Sequence, residues 1–142
     1  PTGLGHLPGA AARERLFDHA GNLGHRFPAL VHPFSWVDIT VELAEGCQVM
    51  AGAVVQPDAR IGDNAIVNTG ARVDHHSQVG NHVHVGPGAI LCGAVRVHTG
   101  AFVGAGATVV QGIQIGRNAI VGAGTTLRHD LADGIRWVGP SR

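Results

Sequence analysis

The sequence predicts an all-β solenoid, a parallel β-helix of about five coils, and three periodic features support this fold class. Every sixth residue from Val31 to Leu127 is Val, Leu or Ile, and no insertion interrupts the series. The residue four positions later is small or apolar, and the residue three positions later is most often Gly, Asn or Asp. Inward side chains two positions apart are typical of short strands. A short fixed period of this kind indicates coils that are stabilised by stacking on their neighbours.

The positions rich in Gly, Asn and Asp mark the corners between strands. These residue types tolerate the positive φ that a tight corner requires. One strand and one corner in every six residues, three per coil, build a triangular prism whose coils stack at about 4.8 Å. We therefore expect the solenoid to cover residues 31–130, and residues 131–142 to form a C-terminal tail.

Composition excludes several classes of partner. The 142 residues carry ten acidic and ten basic side chains, so the formal net charge is zero, and the sequence has no basic run. This balance argues against nucleic acid or an acidic membrane surface as a partner. The two cysteines form no CxxC pair, which favours a reducing compartment. Without a stretch of about 18 apolar residues or a signal-peptide pattern, we expect a soluble cytoplasmic protein.

Four histidines lie close together in "VDHHSQVGNHVHVG", residues 73–86. His76 and His82 fall on the corner phase, where histidine is enriched among non-glycine residues, so we expect both to be solvent-exposed corners. His75 precedes a corner, and His84 takes an outward strand position. The residue pattern alone favours a solvated surface for these two side chains as well.

The repeats "IGDNAI", "VGAGAT" and "IGRNAI" resemble those of the hexapeptide-repeat acyltransferases, whose prism is a left-handed parallel β-helix. Three further segments resemble one branch of that superfamily, the bacterial nucleotide-sugar N-acetyltransferases and sialic acid O-acetyltransferases. These segments are "ALVHPFSWV", "IVNTGARVDHHSQVGNHVHVGPGAILCG" and "WVGPSR". The resemblance implies acetyl-CoA as cosubstrate, a nucleotide-linked amino sugar as acceptor, and transfer to its amine or hydroxyl. It also implies a homotrimer, in which apolar outward residues such as Ile66, Ile90 and Phe102 would be covered.

The resemblance also implies an N-terminal α/β subdomain that binds the nucleotide sugar, of which residues 1–30 would be a short strand-helix remnant. "PTGLGH" resembles the last strand of such a subdomain. "PGAAARERLFDHAGNLG" is expected to form a helix, with Pro8 near its start and Gly24 past its end. The Gly-rich first turn of the subdomain is not seen, so we expect either a part of a longer chain or a shortened relative.

The resemblance assigns the site residue by residue. The motif N-T-x-x-x-[DE]-H stands here as Asn68, Thr69, Asp74 and His75, which implies that Asn68 and Thr69 bind substrate and that His75 is the general base beside Asp74. An imidazole accepts a proton readily near neutral pH. The family usually has an acid directly after the base, but this chain has His76 there. The acid partner of His75 therefore stays open.

Further positions carry over as contacts of acetyl-CoA. They are His84 at the thioester, Gly93 as the backbone donor to the oxyanion, and Ala105 and Ala123 along the pantetheine arm. No covalent intermediate is needed, and Cys92 and Cys47 are expected to be filler and core residues.

Two other classes of function remain open, and no metal ligand is assigned. "HVH" invites a zinc enzyme of the γ-carbonic-anhydrase type, in which three imidazoles would leave an open zinc position. Against it, His75, His82 and His84 do not resemble the wide ligand spacing of that family, and metal analysis of the purified protein would separate the two. The remaining class is a catalytically silent binding solenoid, which the missing acid beside His75 leaves possible.

Overall fold

The computed structural model describes residues 11–139, which form one helix followed by a parallel β-helix of two-residue strands. The helix is α1, Ala12–Asn22. The strands within these residues are β1 Leu30–Val31, β2 Trp36–Val37, β3 Glu42–Leu43, β4 Gln48–Val49, β5 Val54–Val55, β6 Arg60–Ile61, β7 Ile66–Val67, β8 Arg72–Val73, β9 Gln78–Val79, β10 His84–Val85, β11 Ile90–Leu91, β12 Arg96–Val97, β13 Phe102–Val103, β14 Thr108–Val109, β15 Gln114–Ile115, β16 Ile120–Val121, β17 Thr126–Leu127 and β18 Arg136–Trp137.

The strands form three parallel sheets, one on each face of the prism. The first sheet has the order β1-β4-β7-β10-β13-β16-β18, the second β2-β5-β8-β11-β14-β17, and the third β3-β6-β9-β12-β15. Partners lie one full coil apart in the chain, so that His84 pairs with Ile66 on one side and Phe102 on the other. The predicted solenoid is confirmed. It has about six coils, because β18 adds a strand beyond the periodic series that ends at Leu127.

The core is the column of inward aliphatic and small side chains that the period of six predicts. From Val49 to Leu127 the aliphatic series is buried, and Ala, Ser, Thr or a further aliphatic residue fills the second inward position. Each buried side chain touches equivalents one coil away, so apolar burial is spread evenly along the prism. The first coil is more open, since Val31 remains exposed at the N-terminal end of the stack.

The corners adopt the predicted left-handed conformation. Within the period of six, eight corner glycines have positive φ, and so do His76 and His82, each with a φ of 59°. Ala94 also stands at a corner with a φ of 57°, although alanine is not a residue type that indicates this conformation. The repeat therefore imposes the corner even where the side chain opposes it, at about 1–2 kcal/mol for an L-residue.

Helix α1 packs on a corner of the prism. The Phe17 ring stacks on Phe27 at 5.1 Å and meets the edge of His82 at 5.8 Å. Asn64 donates from Nδ2 to Nδ1 of His82 at 3.0 Å. The expectation that His82 is a solvent-exposed corner is therefore wrong, because the helix half-buries it. The predicted helix is confirmed over Ala12–Asn22, and Gly24 follows it with a φ of 84°. Pro8, expected near its start, lies outside the described residues.

The strand expected in "PTGLGH" lies outside the described residues, as do residues 140–142 of the tail. Across residues 11–139, no helix has both the length and the apolar character needed to cross a membrane.

Candidate active site

His75 lies on an exposed corner between the second and third sheets, directly below Gly93 of the next coil. A Cβ atom added at Gly93 would come within 2.7 Å of Cε1 and 2.8 Å of Nε2 of the imidazole. Atoms that are not bonded do not approach so closely, so only glycine leaves room for this ring position. The exposed imidazole therefore packs directly against the backbone of Gly93, which is buried. Among the described residues, no hydrogen-bond acceptor is found for the Gly93 N–H.

The carboxylate of Asp74 contacts the main chain of His75, whereas the His75 imidazole contacts a different residue. Its Oδ1 accepts a hydrogen bond from the backbone N–H of His75 at 2.8 Å. The imidazole Nδ1 of His75 instead faces Nδ1 of His76 at 3.1 Å, with the two rings nearly perpendicular at 86°. In turn, Nε2 of His76 lies 3.6 Å from Oδ2 of Asp58. A carboxylate thus does reach the predicted base, through a second histidine.

His84 is held in a fixed orientation on the outer face of the first sheet. It is only 7% exposed, and its ring stacks on Phe102 with centroids 5.0 Å apart and planes at 23°. Nδ2 of Asn68 lies 3.3 Å from Nε2 of the imidazole. Because an amide nitrogen only donates, Nε2 of His84 accepts in this contact, and the proton of the neutral ring is on Nδ1. The solvated position that the residue pattern favours for His84 is therefore wrong.

Asn68 also connects His84 to the neighbouring corner. Its Oδ1 accepts the backbone N–H of Thr69 at 2.7 Å, which turns its Nδ2 toward His84. Sequence analysis names Phe102 only as an outward apolar residue and misses its ring contact with His84. The signal for this contact is the coil length, since Phe102 follows His84 by one full coil and the two are register partners.

Ala105 and Ala123 lie on the corner between the first and second sheets, above Thr69, and both are exposed. The coils pack tightly there. A Cβ added at Gly86 would come within 2.8 Å of the Ala105 nitrogen, and one at Gly104 within 2.5 Å of the Ala123 nitrogen. The result is a narrow wall of bare backbone along which an extended chain could lie.

The predicted site residues form two groups on one chain. The base group comprises Asp74, His75 and Gly93, at the corner between the second and third sheets. The wall group is on the first sheet and its corner with the second, and comprises Asn68, Thr69, His84, Ala105 and Ala123. In a triangular prism, the corner between two faces is opposite the third face. His75 and the outer side of His84 therefore do not meet within one chain.

The remaining candidate nucleophiles and metal ligands are not assembled into a site. Burial, with a smaller contribution from Asp63, raises the pKa of the Cys47 thiol to about 11, so it is a protonated core residue. Cys92 is half-buried, and its carbonyl oxygen accepts a hydrogen bond from the Ser77 hydroxyl at 3.0 Å. Within residues 11–139 of a single chain, no three His, Cys, Asp or Glu side chains lie close enough to hold a metal ion.

The sequence matches the bacterial transferase hexapeptide family (six repeats) over residues 40–75 and 95–129, which together make half of the chain. The protein belongs to this family of hexapeptide-repeat transferases. A comparison with curated proteins finds no match to this sequence.

Solved structures extend the comparison to particular enzymes. A histidine-to-alanine variant of GDP-perosamine N-acetyl transferase from Caulobacter crescentus, in complex with CoA and GDP-perosamine, is 40% identical, with a TM-score of 0.90. The match covers 94% of this chain and 63% of that one. The acetyltransferase domain of PglB from Neisseria gonorrhoeae, in complex with acetyl coenzyme A, is 36% identical, with a TM-score of 0.85 over 87% of this chain and 60% of that one.

WeeI from Acinetobacter baumannii is 25% identical, with a TM-score of 0.87 over 94% of this chain and 65% of that one. This chain therefore spans less than two thirds of the length of each of these three proteins. The predicted resemblance to the hexapeptide-repeat acyltransferases, and to their sugar N-acetyltransferase branch, is confirmed.

Proposed function

We propose that this protein transfers the acetyl group of acetyl-CoA to the amine of a nucleotide-linked amino sugar. The observation that carries the proposal is the exposed imidazole of His75 lying against the bare backbone of Gly93. A base and an N–H donor at one small site are what attack on a thioester requires. The solved relatives support the substrate class, because one was solved with CoA and GDP-perosamine and another with acetyl coenzyme A.

In the proposed mechanism, acetyl-CoA supplies the acetyl group as a thioester, and each residue handles one charge or proton. Nε2 of His75 takes the proton that the amine loses as its nitrogen bonds to the thioester carbonyl carbon. The Gly93 N–H donates to the carbonyl oxygen, which becomes negative in the tetrahedral intermediate. His75 then returns its proton to the CoA sulfur as the carbon–sulfur bond breaks. Direct attack of this kind needs no cysteine nucleophile, consistent with the protonated, buried Cys47.

The two groups of site residues support a homotrimer as the active unit. A threefold axis would place the base group of one copy against the wall group of the next, so that each site draws on two chains. Acetyl-CoA and nucleotide sugars are cytoplasmic metabolites, so we expect the reaction there. For the acceptor, we propose that residues 1–30 belong to a nucleotide-sugar-binding subdomain, with Asn68 and Thr69 on the substrate side of the site.

Sedimentation equilibrium is expected to give three times the chain mass. Outward apolar side chains, among them the exposed Trp36, leave the second sheet in need of a covering partner, and a narrow prism buries little core of its own. A closed cyclic assembly satisfies both requirements. The measurement is made at micromolar concentration and at two salt concentrations. A monomer under both conditions would contradict the trimer and the two-chain site.

The change His84→Ala is expected to raise KM for acetyl-CoA and to lower kcat, each by about tenfold. It removes a buried, hydrogen-bonded ring whose loss also leaves Asn68 without its partner. Steady-state kinetics with varied acetyl-CoA measures both constants. The matched control is His98→Ala, an exposed histidine on the third-sheet side of the prism, which should leave both unchanged. Equal effects of the two changes would remove His84 from the proposed site.

The proposed activity is tested by thiol release from acetyl-CoA with a panel of nucleotide-linked amino sugars. We expect release with acceptors that carry a free amine, and none with the same sugars already N-acetylated. Release with an amine-free sugar would assign O-acetylation instead. The absence of both thiol release and calorimetric CoA binding would refute the proposal. Copurification of one zinc ion per chain, together with carbon dioxide hydration activity, would replace it with the zinc-enzyme function.

A further inference from the structure

Three side chains form a continuous line at the corner that carries the predicted base. Nδ1 of His75 is 3.1 Å from Nδ1 of His76, and Nε2 of His76 is 3.6 Å from Oδ2 of Asp58. Asp58 is the residue equivalent to His76 in the coil below. Both have a φ of 59°, and this shared corner geometry projects their side chains in the same direction.

We propose that His76 and Asp58 are positioning residues of the acetyl transfer: His76 holds the His75 imidazole through a hydrogen bond, and Asp58 orients His76 through a longer electrostatic contact, so that the two contacts form a relay. This inference rests on the proposed function, in which His75 is the general base. The family has an acid directly after the base, and this chain has His76 there. In the relay, Asp58 supplies the missing acid through His76. Among the described residues, Asp74 has no hydrogen bond to the His75 imidazole, and its Oδ1 accepts the main-chain N–H of His75 instead.

Hydrogen-bond chemistry assigns the single N–H of each neutral ring to one of its two nitrogens. The Asp58 carboxylate only accepts, so Nε2 of His76 carries the proton that faces it. A neutral His76 then has a lone pair on Nδ1, and His75 must donate its own Nδ1–H to that atom. This leaves the lone pair of His75 on Nε2, the atom that lies against Gly93. The relay thus selects the tautomer in which Nε2 acts as a base.

The same line responds to the charge that develops during the reaction. When Nε2 of His75 takes a proton, its Nδ1–H becomes a stronger donor to His76, whose far side faces a carboxylate. The effect is limited by solvent. The His76 and Asp58 side chains are 64% and 56% exposed, and their 3.6 Å contact is longer than an ordinary hydrogen bond. We therefore expect a change of about tenfold in kcat, well below the effect of losing the base itself.

The positive φ of His76 makes it possible to distinguish a role of its side chain in the reaction from a role in stability. A corner with a φ of 59° suits glycine better than histidine, so His76→Gly should be at least as stable as wild type. If the His76 side chain only fills a corner, its removal should leave kcat unchanged. The matched control is Asn118→Gly, an exposed corner residue with a φ of 54° on a different edge of the prism.

The kinetic experiment compares five variants: His76→Gly, Asp58→Asn, their double variant, His76→Asp, and the control Asn118→Gly, which should leave kcat unchanged. We expect His76→Gly to lower kcat by about tenfold with KM for acetyl-CoA unchanged and Tm no lower. Asp58→Asn keeps the corner conformation and should lower kcat by about threefold. In the His76→Gly background, Asp58→Asn should not lower kcat further. His76→Asp, which puts a carboxylate directly beside His75, should restore most of the rate. Additive losses, or full activity in His76→Gly, would overturn the relay.

Imidazole ¹⁵N NMR of the wild-type protein tests the proton positions without any assay. At about pH 8, above the ordinary titration range of histidine, we expect His75 to be protonated on Nδ1 and His76 on Nε2. The opposite tautomer of His75 would overturn the relay even in an active enzyme. By contrast, full activity of a variant that lacks His75 would refute the proposed base while the NMR result stood.

Discussion

Replacing His75 by alanine is expected to lower kcat by about 10²–10⁴, the usual contribution of a positioned general base. The variant loses the atom that accepts the amine proton but keeps the Gly93 backbone and the wall group. KM for acetyl-CoA should therefore change little, because the base acts on the acceptor and contributes little to ground-state binding of the cosubstrate. Steady-state kinetics with both substrates varied measures the two effects separately.

Stability should not explain the loss in His75→Ala. His75 is exposed, and the hydrogen bond from its main-chain N–H to Asp74 is kept by alanine. We expect Tm to stay close to wild type, since exposed substitutions away from caps and cores usually change stability by less than about 0.5 kcal/mol. His98→Ala again serves as the control. A variant that retains more than about a third of wild-type kcat would exclude His75 as the base.

The fold could be predicted from the sequence because the requirement for a buried side chain and the requirement for a corner both repeat every six residues. A side chain every six residues must be aliphatic to face the axis, and a corner every six residues must accept positive φ. His76 and His82 could be assigned to corners on this basis, and both have the expected φ. Ala94 could not be recognised as a corner from its residue type, since only its place in the series indicates it.

The site could be predicted only in part, because its contacts join coils and elements outside the repeat. The resemblance predicts His75 and His84 as site residues, but residue types do not show which ring atom faces which partner. Asp58 lies one full coil before His76, and Phe102 lies one full coil after His84. Counting one coil along the sequence could therefore have predicted both contacts. His82 is different. Its burial depends on Phe17 of α1, whose docking position no repeat specifies.

The change Gly93→Ala is expected to lower kcat by about 10²-fold while the protein stays folded. Gly93 does not have positive φ, so its backbone accepts alanine. The obstacle is the His75 ring, which a new Cβ would approach to 2.7 Å at Cε1 and 2.8 Å at Nε2. The ring ends a side chain on an exposed corner and can swing away without disturbing the core. A displacement of about 1 Å in a reacting group costs a factor of this order.

The effect of Gly93→Ala must act through His75 if this geometry is correct. In a His75→Ala background the new methyl group meets no imidazole, so Gly93→Ala should then cost nothing further in kcat. Gly21→Ala is the matched control, since a Cβ there has no atom within 4 Å and should leave kcat unchanged. Circular dichroism and thermal melts check that each variant is folded. A full additional loss in the double variant would show that the methyl group obstructs substrate instead, and that His75 does not depend on the space that glycine leaves at position 93.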